Sequence, residues 1–162
     1  CGADNSKTIF DMVGLDYTIN RFFSVYGVGM DCEGAYTEVI FNWLNNIKNK
    51  ITDITVFGDP NKKILDLVYI DDVVDAIILT TFNSNKQVYN VSTQTGVTLT
   101  RLIKAIEDVT YTKLNINLLP ENRTDIENKR VGDTTKLKNL GWNNDVRLKE
   151  GIQKTWDWIN NQ

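Results

Sequence analysis

Apolar positions recur along this chain with two different periods, and the two alternate. Tyr36, Val39, Ile40, Trp43, Leu44 and Ile47 are spaced three and four apart, which predicts an amphipathic helix running from Tyr36. Leu102, Ile103 and Ile106 repeat the pattern behind Thr98, a good N-cap. Leu148, Ile152, Thr155 or Trp156, and Ile159 repeat it in a last helix over 148–160. Residues 5–13 read as a short helix or the end of a longer one. Asp71 or Asp72 is placed to cap a helix carrying Val74, Ile77 and Ile78, and the acidic start suits the helix dipole. Asp133 is placed to cap a short helix that stops at Gly141.

Between these helices lie short extended runs. Residues 17–23 are β-branched and aromatic, and 54–57, 67–70 and 88–91 read the same way. The run 114–119 alternates Asn115 and Asn117 with apolar neighbours. Gly27-Val28-Gly29 is a loop signal and Gly58-Asp59-Pro60-Asn61 a strong turn. Residues 120–132 are polar and read as a loop. Strands alternating with helices predict the α/β class.

Composition narrows the chemistry. The chain has 162 residues, 41% hydrophobic and 24% charged, the profile of one ordinary globular domain. No apolar run reaches the roughly 20 residues of a membrane span, so no membrane partner is expected. The start lacks a basic stretch followed by an apolar one, and a cytoplasmic location is the expectation. A net charge of -3 with no Lys/Arg stripe argues against a nucleic-acid partner. Cys1 and Cys32 are too few for a disulfide framework or a cysteine metal site. The absence of histidine removes Ser-His-Asp hydrolysis and His-ligated metals, so no metal site is expected. No G-x-G-x-x-G follows a first strand; Gly27-x-Gly29 lacks the third glycine and leads into an acidic, polar loop. The chain begins at Cys1 rather than Met.

Several segments in one order carry a resemblance. Arg21-Phe22-Phe23-Ser24-Val25-Tyr26-Gly27 is followed by Gly34-Ala35-Tyr36-Thr37-Glu38-Val39-Ile40, then Val56-Phe57-Gly58-Asp59 and Asp66-Leu67-Val68-Tyr69-Ile70-Asp71-Asp72-Val73. Val88-Tyr89-Asn90-Val91-Ser92, Asp133-Thr134-Thr135-Lys136, Leu140-Gly141-Trp142 and Leu148-Lys149-Glu150-Gly151-Ile152 complete the series. Together they resemble the C-terminal part of the extended short-chain dehydrogenase/reductase family, the NAD-dependent epimerases and dehydratases. The UDP-glucose and UDP-N-acetylglucosamine 4-epimerases are the members most similar.

The resemblance implies a Rossmann-like α/β fold. Residues 1–162 would form a single substrate-binding C-terminal region: the last two sheet strands (17–23 and 88–91) plus the small substrate-binding lobe. The dinucleotide-binding half lies outside the resemblance. The implied function is the UDP-sugar-binding portion of an NAD-dependent 4-epimerase. NAD serves full-length members, which are expected to be homodimers, but tight NAD binding is not expected of this chain alone. The family's Tyr-x-x-x-Lys pair falls on Cys1 and Asn5, or, slipped by two residues, on Ala3 and Lys7, so no catalytic residue is assigned. Two alternatives stay open: a nucleotide-sugar dehydratase of the same fold, and a non-catalytic UDP-sugar-binding or scaffold protein.

The implied site residues follow segment by segment. Ser24 stands where the family has an Asn touching the substrate, and Phe22 matches an aromatic near the nicotinamide. Tyr36, Thr37, Glu38 and Val39 would hold the nucleotide at a helix start. Phe57 would cover the uracil. Leu65 occupies the place of a diphosphate-binding Arg, and Arg123 and Arg130 are the candidate replacements, since guanidinium suits bidentate phosphate contact. The plainer readings are a strand-end serine, core phenylalanines, an ordinary helix and solvated arginines.

Overall fold

The computed structural model describes residues 2–30, 39–121 and 129–162. In chain order the elements are α1 (Gly2–Val13), β1 (Thr18–Phe22), β2 (Ser24–Tyr26), α2 (Val39–Lys48), β3 (Asp53–Phe57), β4 (Ile64–Leu65), β5 (Leu67–Tyr69) and α3 (Ile70–Asn83). They continue with β6 (Gln87–Val91), β7 (Val97–Thr98), α4 (Leu99–Thr110), β8 (Asn115–Leu119), β9 (Lys129–Arg130), α5 (Thr135–Asn139) and α6 (Leu148–Asn160).

The strands form small sheets in which parallel pairing dominates. β1 pairs with β6, β2 with β5 and β3 with β8, all parallel. β4 lies between antiparallel β7 and parallel β9. Parallel pairs require crossovers, and helices supply them. The α/β reading of the sequence is what the chain adopts.

Two apolar clusters hold these layers. The larger buries Ile40, Leu44, Ile54, Leu102, Ile106 and Ile152, so α2, β3, α4 and α6 share one core. The smaller joins Val68, Val73, Ala76, Val91, Leu137 and Trp142, packing α3 and α5 against β5 and β6. Glycine allows one close approach: a β-carbon on Gly151 of α6 would fall within 3 Å of the Tyr26 and Tyr69 rings. Those rings meet edge to face at 5.5 Å, and Tyr26 Oη donates to Leu148 O at 3.3 Å.

Helix α3 departs from the expected design. Tyr69 is its N-cap residue and makes no side-chain cap bond. Asp72 instead turns inward, buried, and accepts the backbone N–H groups of Asp145 (3.0 Å) and Val146 (3.3 Å). Its backbone carbonyl accepts the Trp142 Nε1–H at 2.9 Å. The buried face is therefore Asp72, Val73, Ala76 and Thr80, while Val74, Ile77 and Ile78 are exposed. Three smaller corrections apply. The side chains of β8 are exposed throughout rather than alternating. The polar run 120–132 contains strand β9. The N-cap of α5 is Thr134, with Asp133 one residue earlier accepting the Thr135 N–H at 2.9 Å. Thr98 caps α4 as expected, its Oγ1 accepting the Arg101 N–H at 3.2 Å.

Candidate functional site

Phe23 alone separates β1 from β2, so the chain steps from one parallel pair into the next at this point. The Phe23 N–H donates to Val91 O at 3.1 Å and keeps the step tied to β6. In sheets of parallel strands, ligands gather at the carboxyl ends. Phe22 sits at that end of β1 and is 50% exposed, so it is not a core residue. Ser24 opens β2, half-buried and in register with Leu67.

A buried carboxylate fastens the surrounding loops. Asp66 is 1% exposed and accepts four donors: the Thr93 N–H and Oγ1–H at 2.7 Å each, and the Gln94 and Gly132 N–H groups at 3.1 Å. Gly132 in turn lies against Ser92 Oγ and the Phe23 ring, closer than any side chain would permit. The segment leading out of β9 is thus clamped beside the β1–β2 step.

That clamp has a consequence for charge. β9 runs parallel to β4, and Arg130 is in register with Leu65. Register partners in adjacent strands project to the same face of a sheet. Arg130 and Leu65 therefore stand on one face of this sheet.

Phe57 ends β3 in register with Leu119, and Gly58 N–H donates to Leu119 O at 2.9 Å. Ile54 and Val56 face the core, whereas Phe57 is on the open side at 42% exposed. Gly58 takes a positive φ of 74° and lies against Glu121, just before the segment containing Arg123. Val39 begins α2 and packs its side chain on the larger core. Tyr36, Thr37, Glu38, Arg123 and Cys1 lie outside the described residues. Asn5 falls on α1.

Nearby phenols are not poised as bases. Burial, then the proximity of Tyr69 and the Asp72 and Glu150 carboxylates, pushes the Tyr26 phenol far above its ordinary value. Burial also raises Tyr69. Burial raises Asp72 too, partly offset by the Asp145 and Val146 amides.

Among the described residues no strand passes into a helix through the G-x-G-x-x-G turn that would cradle a dinucleotide pyrophosphate. Such a group is held by a glycine-rich turn from strand into helix. Among the described residues β5 passes into α3 at Tyr69–Ile70, and β7 into α4 at Thr98–Leu99, without glycine.

Asp66 and Asp72 act as buried anchors, a role that sequence pattern alone does not assign them. Their signal was a carboxylate inside an otherwise apolar run, which in a fold needs several donors.

The chain is similar in sequence and in fold to known proteins. Over 162 residues the chain is 28% identical to a putative UDP-glucose 4-epimerase of Methanocaldococcus jannaschii, covering 99% of this chain and 51% of that protein. The solved UDP-glucose 4-epimerase of Thermotoga maritima with UDP-glucose superposes with a TM-score of 0.88 at 28% identity, over 97% of this chain and 51% of that one. The Thermus thermophilus UDP-glucose 4-epimerase in complex with NAD gives a TM-score of 0.85 at 25% identity, over 97% and 51%. The chain spans about half the length of these relatives. Its architecture is that of part of a Rossmann-like epimerase. Residues 6–92, more than half of the chain, match the NAD dependent epimerase/dehydratase family, and the chain belongs to that family.

Proposed function

We propose that this chain forms the UDP-sugar-binding portion of an NAD-dependent sugar-nucleotide 4-epimerase. The observation that carries the reading is the register of Arg130 with Leu65. It puts a guanidinium on the strand face where the family resemblance calls for a diphosphate partner. Ser24 at the start of β2 and the open-faced Phe57 would meet sugar and base, with Phe22 toward the nicotinamide. Tyr36 to Val39 and Arg123 would complete the nucleotide contacts. In this reading NAD chemistry belongs to the full-length form, a cytoplasmic homodimer, and the present residues position the substrate.

UDP titration by calorimetry tests it. UDP binds the folded chain, and Arg130→Ala weakens binding by about tenfold or more, equivalent to roughly 1.4 kcal/mol. Arg130 is exposed, so its unfolding temperature stays close to that of the parent. Binding indifferent to both Arg130→Ala and Arg123→Ala would make them ordinary surface residues. A folded chain that ignores UDP altogether would favour the scaffold reading.

A further inference from the structure

We propose that the cleft bounded by the turn after β6, the first turns of α4 and the segment entering α6 is a second anion site, for a phosphate-bearing small molecule with a compact apolar part. The cleft encloses about 390 Å³, within the usual range for small-ligand sites. Arg101, Arg147 and Lys149 line it together, a local concentration of positive charge on a chain whose net charge is -3. Lys149 is engaged loosely, 3.7 Å from Asp108. The guanidinium groups of Arg101 and Arg147 have no hydrogen-bond or ion-pair partner among the described residues. Two planar five-donor groups facing one hollow suit an anion with several acceptor oxygens better than a single carboxylate. Asn144 adds an amide at the same wall.

The rest of the lining is apolar. Buried Leu67 and Val97 and half-buried Val146 and Leu148 form it. A fully ionic ligand would leave these walls unused, which is why an ester with an apolar group is the better occupant. None of the residues assigned to the nucleotide sugar lines this cleft. Strand pairing links the two places, Leu67 being in register with Ser24 and Val97 with Leu65. The inference goes beyond the proposed function and does not depend on it.

Amide NMR titrations of the chain with phenyl phosphate, inorganic phosphate and UDP separate the two sites. Phenyl phosphate shifts the amides of Arg101 and of Arg147 through Lys149, and binds several-fold more tightly than inorganic phosphate. The double variant Arg101→Gln/Arg147→Gln weakens phenyl phosphate by about tenfold or more, while its unfolding temperature and its response to UDP stay unchanged. Should the double variant not fold, each single variant is measured in its place, with a loss of at least about threefold expected. Equal affinity in the variants, equal affinity for the two phosphates, or shifts confined to Ser24 and Arg130 would each overturn the proposal. Failure of UDP to bind would count against the proposed function and leave this site standing.

Discussion

At the scale of single residues, two carboxylates organise the molecule in different ways. Asp66 gathers four donors from two separate loops in a buried position. Removing it strands buried N–H groups, so Asp66→Ala should cost about 2–4 kcal/mol in urea denaturation. A loss under about 0.5 kcal/mol would mean that water replaces it without penalty. Glu107 works near the surface. Burial alone would raise its carboxyl, but the Leu114 N–H and the Lys113 ammonium, each at 3.0 Å, outweigh that and hold it below its ordinary value. A group that binds its proton less tightly when folded stabilises the fold above its unfolded value, near pH 4. That contribution fades as pH falls through the lower, folded value. Glu107→Gln should therefore be less stable than the parent at pH 7, by no more than about 1 kcal/mol given solvent screening. The gap should close toward pH 3, and a gap constant from pH 7 to 3 would show that charge is not involved.

At the scale of elements, packing depends on where side chains are absent as much as on where they are present. Helix α6 reaches the Tyr26 and Tyr69 rings only because position 151 has no β-carbon. Gly151→Ala gains helix propensity, worth under about 1 kcal/mol, yet forces a methyl into those rings. Net destabilisation of about 1–3 kcal/mol is expected, read as a lower urea midpoint, and a stabilised variant would show that α6 can shift freely. Elements with long periods were legible in the sequence: α2, α4 and α6 follow their three-and-four spacing, and β1, β3 and β6 their β-branched and aromatic content. Helix α3 was legible as a helix but not in orientation. Its apolar stripe of Val74, Ile77 and Ile78 faces outward because Asp72 finds its donors at Asp145 and Val146, seventy-odd residues downstream, which no local pattern reveals. β4 and β9 have two residues each, too few to show a period, so the register that sets Arg130 beside Leu65 could not be read. The candidate site was legible in the residue types of Ser24, Phe57 and Arg130, while its assembly rests on that hidden pairing and on Asp66.

At the scale of the whole molecule, the strand pairings share one property. Thr18 meets Gln87, Ser24 meets Leu67, Asp53 meets Asn115, and Ile64 meets both Thr98 and Lys129. Among the described residues, no two strands adjacent in sequence pair as a hairpin. Order must therefore arrive from far along the chain before any strand gains a partner, and each closure loses loop entropy first. Such a topology has high contact order, which places refolding in milliseconds to seconds rather than microseconds. Stopped-flow refolding from urea should show this, and a microsecond single phase would contradict it. The same pairings mean that a ribosome would have released everything between β1 and β6, and between β3 and β8, before either pair could form. The amphipathic helices would form early and wait, their apolar faces open, so the nascent chain would be most prone to stray association in the interval before β8 emerges.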